Sequence, residues 1–114
     1  MKEDAVYLRH ILECIRRIEE DTRGDYDSFM ASHTHQDAVL RNLQTLAEST
    51  QRLAEDVKAK HPAVPWRSIA AFRNILVHNY LGVDLYRIWN IVQDDIPQLK
   101  ATIDRILRDM EDGR

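Results

Sequence analysis

Little in this chain can turn a sheet. Its 114 residues include three glycines and three prolines, too few for the closely spaced turns of an all-β domain. Cysteine is scarcer still: Cys14 stands alone, with no internal partner for a disulfide. No run of about 18 apolar residues occurs, so no transmembrane helix is expected. The opening Met-Lys-Glu-Asp lacks the apolar stretch of a secretory signal. A single thiol and no leader point to the cytoplasm. Basic excess is also missing. Sixteen Lys and Arg face nineteen Asp and Glu, for a net charge of −3. A surface coated for general nucleic-acid binding is therefore excluded, although a local basic cleft is not.

What remains suits a soluble helical protein. Hydrophobic residues make up 44% and charged residues 31%, and the length fits one domain with a modest core. Over residues 3–22, Leu8, Ile11, Ile15 and Ile18 recur at three- and four-residue steps, one buried stripe of a helix. Cys14 borders that stripe and reads as a buried, inert thiol. Arg9, Arg16, Arg17 and Arg23 read as a solvated face paired with Glu13, Glu19 and Glu20. Gly24 is expected to end the helix.

Residues 25–32 form a connector with one helical turn near 28–31. His33 and His35 make an H-x-H pair, but two ligands without a third are a weak metal signal, and a capping or loop role is preferred. Thr34 is placed to cap the next helix. That helix spans residues 35–59, about 37 Å at 1.5 Å per residue. Val39, Leu43, Leu46, Leu53 and Val57 form its seam, with Thr50 as the polar member. Another stripe carries Arg41, Glu48, Arg52 and Glu55. These are either exposed i,i+4 charge support or, for Arg41 and Glu48, positioning groups beside a site.

Two prolines in four residues, Pro62 and Pro65, break the helix. Pro65 opens a third one near its first turn, with Trp66, Ile69, Phe72 and Leu76 as the apolar face. Asp84 caps a fourth, over residues 85–109, whose apolar spacing is the strongest in the chain. Pro97 should interrupt its hydrogen bonding and kink it. Asp94 and Asp95 are adjacent, diverge on a helix and are not a catalytic pair. Four amphipathic helices with short connections imply an all-α antiparallel bundle. Apolar surface left over on the long fourth helix would go into a subunit interface.

Chemistry concentrates in residues 73–80. Arg73 carries a fixed charge that can stabilise an anion, His78 can donate or accept a proton near neutral pH, and Tyr80 offers a modifiable hydroxyl. On a helix, Arg73 and His78 diverge by about 140° and lie about 7.5 Å apart along the axis. Arg73 and Tyr80 share a stripe, and Asn74 and His78 share another. Arg73 and His78 can meet over one substrate if the helix loosens before Gly82, or if a second subunit closes the site by symmetry. Taken alone, Arg-x4-His is a short motif with little power to discriminate.

The order Pro65-Trp66-Arg67-Ser68-Ile69, then Arg73-Asn74-Ile75-Leu76-Val77-His78-Asn79-Tyr80, resembles the HepT-type proteins of the HEPN superfamily. Arg73, His78 and Tyr80 match that family's Arg-x4-His-x-Tyr motif, with Trp66 ahead of it and Asn74 after the arginine. The likeness extends over most of the chain. One departure is Ala47-Glu48-Ser49, where relatives often have Gly-Glu-Ala, which keeps the acid.

The resemblance implies a four-helix HEPN bundle that forms a homodimer with its motifs facing a shared cleft. It implies an endoribonuclease needing no metal and no cofactor, the toxin of a type VII toxin–antitoxin pair. The antitoxin would be a minimal nucleotidyltransferase, MntA, which silences such toxins by transferring AMP to the motif tyrosine, here Tyr80. In that scheme Arg73 holds the scissile phosphate and His78 moves the proton, the RNA 2′-hydroxyl attacks, and Asn74, Arg41 and Glu48 position. No membrane is involved. A reading from another class keeps the fold without the catalysis: a helical module using the same cleft to hold a nucleotide or the nucleotidyltransferase.

Overall fold

Apolar residues spaced along each segment decide how the chain packs. The computed structural model describes residues 2–113, and among these the regular structure is helical with no strand. The helices are α1 (Lys2–Asp21), α2 (Tyr26–Met30), α3 (His33–Gln51), α4 (Glu55–Ala59), α5 (Trp66–His78), α6 (Leu85–Asn90) and α7 (Ile96–Glu111). The expected stripe on α1 is fully inside: Leu8, Ile11, Ile15 and Ile18 are all buried. Facing it on α3 are Val39, Leu43, Leu46 and Thr50, also buried. Ile88, Val92, Ile96, Ile103 and Ile106 complete the same core from α6 to α7.

Cross-links between helices give their directions. Asp4 meets Ala54 and His10 meets Ser49, so α1 and α3 run antiparallel. Arg9 pairs with Glu111 and Lys100 with Glu19, so α7 returns antiparallel to α1. This is the expected all-α antiparallel bundle, and it matches a HEPN bundle. No helix among the described residues is long and apolar enough to cross a membrane.

The second expected helix is not continuous. Helix α3 stops at Gln51, and α4 starts only after Ala54, whose backbone is extended (φ −63°, ψ 148°). No glycine or proline lies at the break. The Ala54 amide instead donates to the buried carboxylate of Asp4, 2.9 Å away. Arg52 and Glu55, expected on the α3 charge stripe, therefore lie at and beyond the break. At the other end, Ser32 caps α3 by accepting from the His35 amide, where Thr34 had been expected to do so. Gly24 is not a left-handed cap, since among the described residues positive φ occurs only at Gly113. Thr22 closes α1 instead, bonding the Ile18 carbonyl through both its amide and its hydroxyl.

Pro97 interrupts the last long helix, as expected, through a specific device. Proline has no amide hydrogen and crowds the carbonyl four residues back. The chain answers with a π turn over Ile91–Asp95, in which the Ile96 amide reaches the Ile91 carbonyl. The Gln98 side chain then donates to the Asp94 carbonyl at 3.1 Å. Asp94 and Asp95 lie exposed in this turn. Asp84 caps α6, accepting from the Tyr86 amide.

Helix α5 is held differently from the others. Its principal partner is α3, and its one buried residue is Leu76. Trp66 anchors its start, where Nε1 donates to the carbonyls of Lys58 and His61, each at 3.1 Å. Between α5 and the π turn lies an open groove of about 630 Å³, lined by Leu46, Val64, Ile69, Phe72, Ile96 and Leu99 among others. Ile75 and Val77 on α5, and Leu81 in the turn after it, are also exposed. Apolar surface is thus left uncovered on and around α5 and also along the last long segment, where Tyr86 is exposed and Ile91 and Leu99 line the groove.

Candidate functional site

Helix α5 lies antiparallel on one polar stripe of α3. Asp37, Arg41, Gln44 and Glu48 recur at steps of four, three and four on α3, which stacks them along one face. Glu48 meets Arg73 in the C-terminal half of α5, and Asp37 meets Tyr80 just past its end.

Arg73 is oriented by several hydrogen bonds. Its Nε and Nη2 both donate to Glu48 Oε2, at 3.2 and 3.1 Å, and Nη1 donates to Asn74 Oδ1 at 3.3 Å. Gln44 Nε2 donates to the same Glu48 oxygen at 3.3 Å. Both partners of the ion pair are about one-third exposed, at 31% and 39%, so solvent screens it partly and a phosphate could reach the guanidinium. Asn74 turns its amide oxygen to Arg73, not toward the imidazole it shares a stripe with.

His78 is the last residue of α5 and is exposed. Its ring has no hydrogen-bond partner among the described residues. The helix does loosen here: Asn79 leaves helical geometry (φ −137°, ψ 45°) and a short 3-10 turn, Tyr80–Gly82, follows. Arg73 and His78 share no hydrogen bond, because the guanidinium is engaged by Glu48 and Asn74.

The turn sends Tyr80 back to α3. Its hydroxyl donates to Asp37 Oδ1 at 2.7 Å, and the residue stays 44% exposed. The hydrogen bond to that carboxylate, with burial second, pushes the Tyr80 hydroxyl up from the usual phenol value. Gly82 makes room for the turn: a Cβ there would lie 2.7 Å from Asn79 Oδ1.

Arg41 sits on the same stripe, one turn from Asp37. It is exposed, and among the described residues it has no ion pair. The stripe thus alternates Asp37, Arg41 and Glu48, and the two ends of the site are anchored about 16 Å apart along α3, at 1.5 Å per residue. Asp37 and Gln44 were missed in the sequence. Extending the Arg41–Glu48 stripe one turn toward the N-terminus would have found Asp37.

The remaining reactive groups lie elsewhere. Cys14 is buried, and that burial pushes its thiol up from the ordinary value. Its sulfur lies 3.9 Å from His10 Nε2. His33 and His35 are exposed in the first turn of α3. Among the described residues, no group of three or more His, Cys, Asp or Glu is placed to hold a metal ion.

Comparison with known proteins gives the family. The model of the ribonuclease HepT-like family matches residues 11–106, nearly the whole bundle and all of the α3–α5 stripe. The chain belongs to the HepT-like family. It is 39% identical over 101 residues to the "Probable ribonuclease HepT" of Thermococcus cleftensis, covering 88% of this chain and 92% of that one. It is 34% identical over 109 residues to a "Putative RNase" of Caldanaerobacter subterraneus subsp. tengcongensis, covering 95% and 97%. It is 38% identical over 114 residues to a Methanocaldococcus jannaschii protein named "Gamma-glutamylcyclotransferase and putative RNase", covering 99% of this chain. This HepT-like chain spans about half that relative's length, 51%. No solved structure gives a significant match.

Proposed function

We propose that this HepT-like protein is a cytoplasmic endoribonuclease, the toxin of a type VII toxin–antitoxin pair, working without a metal in the cleft of a homodimer. The observation that carries the reading is an exposed imidazole, His78, at the end of a helix whose Arg73 is already held in place by Glu48. Arg73 takes the scissile phosphate and stabilises the charge that builds on it. His78 moves a proton, as base for the RNA 2′-hydroxyl or as acid for the leaving 5′-oxygen. The second His78 of the dimer, or water, does the complementary transfer. The products are a 2′,3′-cyclic phosphate and a 5′-hydroxyl.

Geometry supports the need for a second copy. The two groups diverge by helical spacing on α5, and the guanidinium of Arg73 is bonded to Glu48 and Asn74, not to His78. Exposed Ile75, Val77 and Leu81 and the groove beside α5 leave apolar surface for another chain to cover. Glu48 aims Arg73, with Gln44 and Asn74 bracing the pair. Arg41 supplies a second positive contact for the RNA backbone.

The same reading makes Tyr80 the residue that an MntA-type nucleotidyltransferase silences with AMP. The hydroxyl is reachable at 44% exposure. Its anchor on Asp37 lies closer along α3 to Arg41 than to Glu48, so Arg41 is the nearer cation for the added phosphate.

RNA cleavage in EDTA by wild type, Arg73→Ala and His78→Ala tests the catalysis. Loss of at least about 100-fold in each variant is expected, whereas equal cleavage by all three sinks it. Light scattering at micromolar concentration tests the dimer. One observation favours a second reading: Arg73 is neutralised by Glu48 within the protomer. A non-catalytic module that binds a nucleotide or the nucleotidyltransferase through this stripe would show tight partner binding and no cleavage.

A further inference from the structure

Tyr80 differs from the other tyrosines in what its hydroxyl faces. Oη donates to Asp37 Oδ1 at 2.7 Å, a short contact between a phenol and a carboxylate. Asp37 is itself exposed and has no ion pair among the described residues. The phenolic oxygen is thus open to solvent on one side while its proton already points at an acceptor.

We propose that Asp37 accepts the phenolic proton of Tyr80 as that oxygen attacks the α-phosphorus of a nucleoside triphosphate presented by the partner enzyme. The proposal rests on the reading above that Tyr80 is the nucleotidylated residue. In the step, a bond forms between Tyr80 Oη and the α-phosphorus. The bond from that phosphorus to the oxygen bridging toward the β-phosphorus breaks, and pyrophosphate leaves with the bonding pair. The proton passes from Oη to Asp37 Oδ1 and then to water.

Two roles for the carboxylate have opposite signs. The contact with Asp37 pushes the Tyr80 hydroxyl further up and so disfavours the phenolate. A carboxylate that did only this would withhold phenolate, and its removal would speed transfer. A carboxylate that takes the proton in the transition state contributes about 10²–10⁴-fold, and its removal slows transfer. The product has a further consequence. An ester oxygen cannot donate to Asp37, and the new phosphodiester brings negative charge toward it. Modification therefore breaks the tie between the 3-10 turn and α3 and drives Tyr80 away from Asp37.

The test incubates the full chain with its nucleotidyltransferase and ATP and follows AMP on Tyr80 by mass spectrometry. Wild type, Asp37→Asn, Asp37→Glu and Tyr80→Phe are compared, with circular dichroism and partner affinity as controls. The expected result is AMP on wild-type Tyr80, none on Tyr80→Phe, a rate about 100-fold lower for Asp37→Asn, and at least tenfold recovery in Asp37→Glu. Transfer to Asp37→Asn at or above the wild-type rate overturns the role of Asp37 and leaves the modification of Tyr80 standing. So does Asp37→Glu as slow as Asp37→Asn. Wild-type Tyr80 without AMP overturns the modification reading and the inference with it.

Discussion

Replacing Asp4 should loosen the join between α3 and α4, fifty residues away in sequence. The Asp4 side chain is 4% exposed, and its carboxylate accepts the Ala54 amide at 2.9 Å. Asp4→Ala removes that acceptor and leaves a part-buried amide with nothing in its place. An unsatisfied buried donor costs about 1–3 kcal/mol, so about 2 kcal/mol is the working figure. Unfolding entropy near 2.1 cal/mol/K per residue gives about 240 cal/mol/K for a chain of this size, which converts that loss to a Tm drop of roughly 8 °C. Asp4→Asn keeps a side-chain oxygen at the same reach and gives up only the charge, so its drop should be about half. Calorimetry gives the midpoints. Hydrogen exchange reports the cause directly, since the Ala54 amide should exchange much faster in Asp4→Ala and stay protected in Asp4→Asn. An Asp4→Ala midpoint within about 1 °C of wild type would refute the reasoning.

Two further predictions concern charge. Glu48→Gln should lower kcat for RNA cleavage by about tenfold, because Arg73 loses its aim. It should also lower KM, because a carboxylate no longer competes with phosphate for the guanidinium. An unchanged kcat in steady-state assays contradicts the positioning role. Glu13, on the polar face of α1, is held down to about 2 by hydrogen bonds from Arg16 first and Arg17 second. A carboxyl depressed when folded stabilises above its ordinary value near 4.5, and that contribution is lost as pH falls from there through 2. Carbon-13 NMR titration should find Glu13 titrating near 2 at low salt. It should move upward in 1 M salt and rise more in Arg16→Ala than in Arg17→Ala.

Local pattern reached most of the bundle. The stripe Leu8, Ile11, Ile15 and Ile18 and the seam from Val39 to Leu53 are periodic in sequence and buried in space. Asp84 caps α6 because capping is a short-range rule, satisfied by the Tyr86 amide two residues on. What was illegible needed a distant partner or a choice between equals. The break after Gln51 is stabilised by Asp4 from another helix, and no glycine or proline marks it. Ser32 and Thr34 are both good caps, and the fold uses Ser32. Pro97 signals a lost hydrogen bond, but not that a π turn absorbs it. At the site, helical spacing put Arg73 and Tyr80 on one stripe, but α5 ends at His78 and Tyr80 reaches α3 from the following turn. Their anchors were not readable, because pairing Arg73 with Glu48 and Tyr80 with Asp37 depends on the register of α5 against α3.

That register explains how an acidic protein could handle RNA on the proposed reading. Along the α3–α5 face, two carboxylates alternate with two guanidinium groups, so the stripe has little net charge. A phosphate gains only where it can displace a carboxylate, and the exposed Arg73–Glu48 pair is soft enough to yield. Nonspecific attraction, which scales with uncompensated positive charge, stays low. The stripe therefore favours a phosphate presented in one geometry over one merely nearby. AMP on Tyr80 would act on the same balance from the other end: it removes the hydroxyl's claim on Asp37 and offers Arg41 a phosphate of its own. Two ends about 16 Å apart along one helix are then coupled through a shared row of charges, with no change of fold required.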